Sequence, residues 1–173
     1  MSTVVAKIDQ AFLNTVLAKI SVAGEKNWSG KIGLARWSVT VRFTITNIRG
    51  AIENDRVRVF AKVHVQAGPI SYTDDMEAEA EVGMDGTQVV LRVKSLVVSV
   101  YAAPLGHRIE LGNVDVCGLL PNPIEARFRV LPDFYNTFLP DLLGGAQVTI
   151  TARNPQVAVR SGAIEASVTV GVS

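Results

Sequence analysis

Between Arg56 and Val100 apolar and polar side chains alternate almost one by one, and this two-residue period constrains the fold more than any other feature of the chain. Successive side chains of an extended strand point to opposite faces, so the alternation specifies strands with one buried and one solvated face. Val57, Val59, Ala61, Val63 and Val65 face one way, against Arg56, Arg58, Phe60, Lys62 and His64. Met76, Ala78, Ala80, Val82 and Met84 alternate with Glu77, Glu79 and Glu81, and Asp85-Gly86 is a hairpin signal leading into Val89, Leu91 and Val93. The inward set Val57, Val59, Ala61, Val63, Val65, Ala78, Ala80 and Val82 contains no aromatic residue. That face is apolar but shallow, and it needs a cover.

Two segments have the period to supply one. Val4, Ile8, Ala11, Phe12, Thr15 and Ala18, widened by Leu13, Leu17 and Ile20, predict a helix from Val4 to Ile20 that ends near Gly24. Phe134, Phe138 and Leu142 predict a second helix from Asp133 to Leu143, set between Pro132 and Gly144-Gly145 and shortened or kinked by Pro140. Glu25 to Gly33, carrying Trp28 and Gly30, is expected as a polar loop. Trp37 to Ile45 is expected as a strand, Asn47 to Glu53 as a turn, and Gly68-Pro69 as the end of the next strand.

Past Lys94-Ser95 the apolar set slips to Leu96, Val98 and Val100, which predicts a bulge or a change of face in one long bent strand. A second phase break falls at Gly112-Asn113. Ile124, Ala126, Phe128 and Val130 mark a further strand, and Gln147 to Thr151 and Ile164 to Val172 are expected to close the chain. Hairpin-length connections dominate, so the class is α+β, with a long, bent, mostly antiparallel sheet wrapped around the N-terminal amphipathic helix and the helix near 133–143. At 173 residues the chain is read as a single domain, 1–173, able to bury roughly 70% of its unfolded surface.

Composition narrows the function classes. A net charge of +1 offers no basic excess for nucleic acid. The stripe Arg42, Arg56, Arg58 and Lys62 around Phe60 is better satisfied by cross-strand pairing with Glu77, Glu79 and Glu81. No apolar run reaches the ~18 residues of a membrane-spanning helix. The N-terminus shows no secretory leader, so a cytoplasmic protein is expected.

No reaction is announced. His64 and His107 lack metal-ligand spacing, and the single Cys117 has no neighbouring base or cation to activate it. There is no nucleophile elbow and no phosphate loop. His107, Asp115 and Cys117 are the polar groups an enzyme reading would have to draw on. Neither an enzyme nor a cofactor or metal is expected.

The amphipathic segment Ile8-Asp9-Gln10-Ala11-Phe12-Leu13-Asn14 is followed by long strands over Val39 to Ile48, Val57 to Gln66, Met76 to Met84 and Val89 to Tyr101, and then by a later helix. This arrangement resembles the tubular lipid-binding superfamily, which includes bactericidal/permeability-increasing protein, in its small single-domain bacterial form. The resemblance implies a curved sheet around a helix that encloses a groove for acyl chains or another elongated hydrophobic ligand. The expected lining is Phe12, Leu17, Val59, Ala61, Val63, Ala80, Val82, Leu91, Phe134 and Phe138. The alternative is a structural or interaction module with a filled core, which joins itself or a partner protein through sheet edges or through Trp28 and Trp37; a peripheral membrane is left open as a partner.

Overall fold

The computed structural model describes residues 2–130, 150–160 and 162–172. The predicted N-terminal helix is only half helical: Ser2–Asp9 is strand β1, and α1 is Gln10–Leu17. Positions 4 and 8 fit a period of two as well as a helical turn, and the β-branched Val4 and Val5 prefer the strand. Asp9 marks the switch, its carboxylate accepting a hydrogen bond from the Phe12 N–H at 2.8 Å as an N-cap.

From Val22 to Arg129 the chain lays down β2 (Val22–Ile32), β3 (Ala35–Ile52), β4 (Val57–Ala67), β5 (Ile70–Asp85), β6 (Gln88–Val93), β7 (Val97–Ala102), β8 (Ile109–Asp115) and β9 (Glu125–Arg129). After residue 150 come β10 (Ile150–Arg160) and β11 (Ala163–Val172). Three sheets result, in the orders β2-β3-β4-β5-β6-β9, β7-β8 and β1-β11-β10, and every pairing is antiparallel. The class is α+β, with mostly antiparallel sheet, one helix among the described residues and a main sheet curled as a half-barrel. No described helix is long and apolar enough to cross a membrane.

Several boundaries differ from expectation for identifiable reasons. The expected loop Glu25 to Gly33 is strand β2: Gly24, Lys26 and Gly30 occupy its inner face and hide the alternation that Val22, Trp28 and Ile32 would otherwise show. The expected turn at Asn47 is a bulge, with Asn47 at φ +52° and a register shift between Thr46 and Arg49, after which Ile48 and Ile52 again point inward. The chain turns instead at Glu53–Arg56, where the Glu53 N–H donates to the Arg56 carbonyl at 2.9 Å.

The phase slip after Val93 is neither a bulge nor a twist of one strand. β6 ends there, and β7 belongs to a different sheet. Leu96 fixes the crossing, its N–H donating to Asp115 Oδ1 at 2.9 Å and its carbonyl accepting from the Val116 N–H. β5 begins at Ile70, earlier than Met76, and β10 runs to Arg160, beyond the expected Thr151. The expected helix at 133–143 lies outside the described residues.

The helix seats against the end of β3. Leu13 and Leu17 are its buried residues, each worth about 1.5–3 kcal/mol of burial. β2 pairs with β3 only as far as Ile45, so among the described residues the β3 edge beyond it lacks a strand neighbour on that side. Side chains of α1 replace one: the Gly50 N–H donates to Asn14 Oδ1 at 2.7 Å and the Ile52 N–H to Gln10 Oε1 at 3.3 Å. A Cβ on Gly50 would lie 2.7 Å from Leu13 Cδ2, so only glycine admits the helix this closely.

Candidate functional site

The expected lining residues separate into groups. Leu17, Val59, Ala61, Val63, Ala80 and Leu91 are buried in one continuous core, and Val82 is half-buried against it. Phe12 is 52% exposed. Because Asp9 starts the helix, the inward positions are 13 and 17, and Phe12 is turned toward the β9 edge with its ring 5.8 Å from that of Phe128. Phe134 and Phe138 lie outside the described residues.

β5 is one incompletely covered part of the inner face. Tyr72, Asp74, Met76, Ala78, Val82 and Met84 are all half-buried, whereas their directly paired neighbours Val65, Val63, Ala61, Val59, Leu91 and Val89 are buried. The pairing explains this. From Ile70 to Glu79 β5 is paired with β4 alone, from Glu81 to Asp85 with β6 alone, and only Ala80 has partners on both sides, Val57 and Val93. A residue with one hydrogen-bonded strand beside it among the described residues is less covered on its other flank, where β10 and β7 come near β5 without pairing with it. Ala80, with two, is 5% exposed.

Tyr72 closes one end of the row. Its hydroxyl donates to the Ser99 carbonyl at 2.7 Å and accepts from the Tyr101 N–H at 3.1 Å, holding β7 against the inner side of β5. Burial pushes its phenol above the usual range. The Tyr101 ring stands 6.0 Å from that of Tyr72 and carries Arg108 over its own face at 5.0 Å.

The chain matches no family model, no curated protein and no solved structure.

The outer face carries a different chemistry. A hollow of about 630 Å³ at the β3 bulge is lined by Asn47, Arg49, Phe60, Ala61, Lys62, Asp75, Met76 and Glu77. Its charges are committed to one another: Arg58 Nε donates to Glu77 at 2.6 Å, Arg58 and Arg56 both reach Glu53, and Lys62 lies 3.2 Å from Asp75. The Arg56 and Arg58 hydrogen bonds hold the Glu53 carboxyl below the usual carboxylate range. Arg49 and Arg58 flank the Phe60 ring at 5.5 and 5.3 Å, so the ring is already stacked within the chain.

Of the three polar groups considered for an enzyme, His107 follows the Pro104–Gly106 turn, its backbone N–H donating to the Pro104 carbonyl at 3.1 Å. Asp115 serves the backbone, accepting from the N–H groups of Leu96 and Cys117. Burial, reinforced by Asp115, pushes the Cys117 thiol up to about 11. His64 is bonded through its two ring nitrogens to Thr73 and Ser71 on the outer face. Among the described residues no His, Cys, Asp and Glu side chains gather as a metal site.

The alternation marks Met76, Ala78, Val82 and Met84 as inward residues but does not mark them as the open ones. Openness depends on where β4 and β6 stop along β5, which the alternation within β5 does not encode.

Proposed function

We propose that the protein is a non-catalytic binder of an elongated apolar ligand, held along the inner face of β5. The observation that carries this reading is the half-covered row Tyr72, Met76, Ala78, Val82 and Met84 beside a fully buried core. From Met76 to Met84 the row extends about 27 Å at ~3.4 Å per residue. That exceeds one acyl chain, whose reach is about half of the ~30 Å bilayer hydrocarbon core. A sheet curled as a half-barrel, with a helix bridging β3 and Phe128, supports the resemblance to the tubular lipid-binding superfamily as a proposal of the same kind. The ligand site is shifted from the helix–sheet space to β5, and Val82 is the expected lining residue it retains as open.

Native mass spectrometry with organic extraction tests this. The expected result is a lipid-sized addition to the 18.6 kDa chain that vanishes on denaturation and is lost in Ala78→Phe, which fills the row. A bare chain from native preparations, still bare after incubation with fatty acid or phospholipid, refutes the reading.

One observation favours a second reading, an interaction module with a filled core. Leu13 and Leu17 are fully buried and pressed onto Gly50, leaving no space for a ligand between α1 and β3. An assembly mass above 18.6 kDa with no small-molecule adduct would select it.

A further inference from the structure

Beyond Val41, where β4 stops, β2 and β3 continue together as a two-stranded ribbon. Six more rungs follow, from Asn27–Thr40 to Ile32–Ala35, so the ribbon overhangs the sheet by about 20 Å. Gly33 at φ +58° turns the chain at the tip, and Leu34 beside it is 103% exposed. Isolated two-stranded ribbons are marginal. This one is braced on one face by the Trp37 ring lying over Gly30 and by Lys26 over the Trp28 ring, and on the other by the Thr40 hydroxyl donating to Asn27 Oδ1.

The ribbon's chemistry is sorted along its length. The tip is apolar: Ile32, Leu34 and Ala35. One rung behind, Lys31 stands directly across from Arg36 on the polar face, and neither has a carboxylate partner among the described residues. Like charges directly opposite one another destabilise a strand pair, a cost that a negatively charged surface removes. Two rungs, or about 7 Å, behind the last pair sits Trp37, on the other face. Between Lys26 and Thr40 there are three cations and no anion, although the whole chain carries only +1.

We propose that this ribbon docks the protein on an anionic lipid surface, with the Ile32–Ala35 tip entering the interface, Lys31 and Arg36 at the level of the phosphates and Trp37 at the headgroup boundary. The spacing matches the 5–10 Å to which interfacial segments bury, and indole rings favour that depth. Docking does not require a carried ligand, so it stands or falls independently of the β5 row.

Trp28 and Trp37 are the chain's two tryptophans and both lie on the ribbon, so intrinsic fluorescence reads this element directly. Vesicles of phosphatidylcholine doped with phosphatidylserine are expected to pull the protein down and shift its emission to the blue, with the effect falling as salt rises. Vesicles of phosphatidylcholine alone are expected to do neither. Lys31→Gln/Arg36→Gln should weaken partitioning about thirty-fold, from roughly five- to sixfold for each cation. Leu34→Asp should abolish the blue shift while leaving circular dichroism unchanged, since Leu34 touches no core. Equal binding to neutral vesicles, no vesicle binding, or an undiminished Lys31→Gln/Arg36→Gln variant overturns the proposal. So does a Leu34-dependent dimer in the absence of lipid, which would assign the tip to a protein contact.

Discussion

Replacing Gly50 with alanine puts a methyl group 2.7 Å from Leu13 Cδ2 and 3.3 Å from Leu17 Cδ1, both fully buried. Leu13 cannot swing into solvent, so either it leaves its rotamer, at about 0.5–1.5 kcal/mol, or α1 lifts. Lifting weakens the Asn14–Gly50 hydrogen bond, worth about 1 kcal/mol, and uncovers part of two leucines. Against this, alanine loses less backbone entropy than glycine on folding, a gain of about 0.4–1 kcal/mol. The net expectation is destabilisation by about 1–2 kcal/mol, within the usual range for overpacking. Urea unfolding should show a lower midpoint at unchanged slope.

The decisive measurement is the double-mutant cycle with Leu13→Ala, which alone should cost about 2–5 kcal/mol through its cavity. If the methyl group added by Gly50→Ala strikes Leu13, truncating Leu13 gives it room, and the double variant should be more stable than additivity predicts by about 1 kcal/mol. A neutral or stabilising Gly50→Ala, or strict additivity in the cycle, would refute the seating of α1 on β3 described above.

Tyr72→Phe removes the hydroxyl that joins β5 to β7 and should cost about 1–2 kcal/mol, with faster amide exchange at Tyr101, whose N–H loses its acceptor; unchanged exchange there would count against the bridge. With its thiol raised from 9.0 to about 11, Cys117 should alkylate roughly a hundred-fold more slowly at pH 8 than an unperturbed thiol. The folded state holds this proton more tightly than the unfolded chain, so the associated stability is complete below pH 9 and declines between pH 9 and about 11. Ordinary alkylation kinetics in the native protein would contradict the burial of the thiol.

What the sequence made legible was local and periodic. Val57 to Val65 sit inward as their alternation requires, and Asp85 leads into a two-residue turn that pairs it with Gln88. Elements failed where two periods coincide or where the inward position carries no apolar side chain. Val4 and Ile8 satisfy both helix and strand, and pairing with Val168 and Ile164, more than 150 residues away, decides between them. Gly24 and Gly30 leave β2 without a visible stripe because their inward space is filled by other groups, the Leu119 carbonyl and the Trp37 ring. The candidate site was legible only as a list of inward residues. Which of them are open depends on strand ends, and those ends are set by partners.

Those strand ends also give the two proposed surfaces a common origin. β3 meets three sets of neighbours in turn: β2 alone up to Thr40, β2 and β4 from Val41 to Ile45, then β4 with the amides of α1. β5 is staggered further still, exchanging β4 for β6 at the single residue Ala80. Stagger of this kind curls a sheet toward a barrel, because each strand is displaced along its axis relative to the last. It also leaves unmatched lengths of strand, which must be covered or left open. At Gly50 and Ile52 the helix covers them. On the β2–β3 overhang and along β5 they stay open, and these are the places where an apolar row or tip meets solvent. Shortening the ribbon by deleting two rungs should therefore reduce vesicle binding without altering ligand capture, whereas Ala78→Phe should do the reverse. A single deletion that removed both would show that the two surfaces are one site.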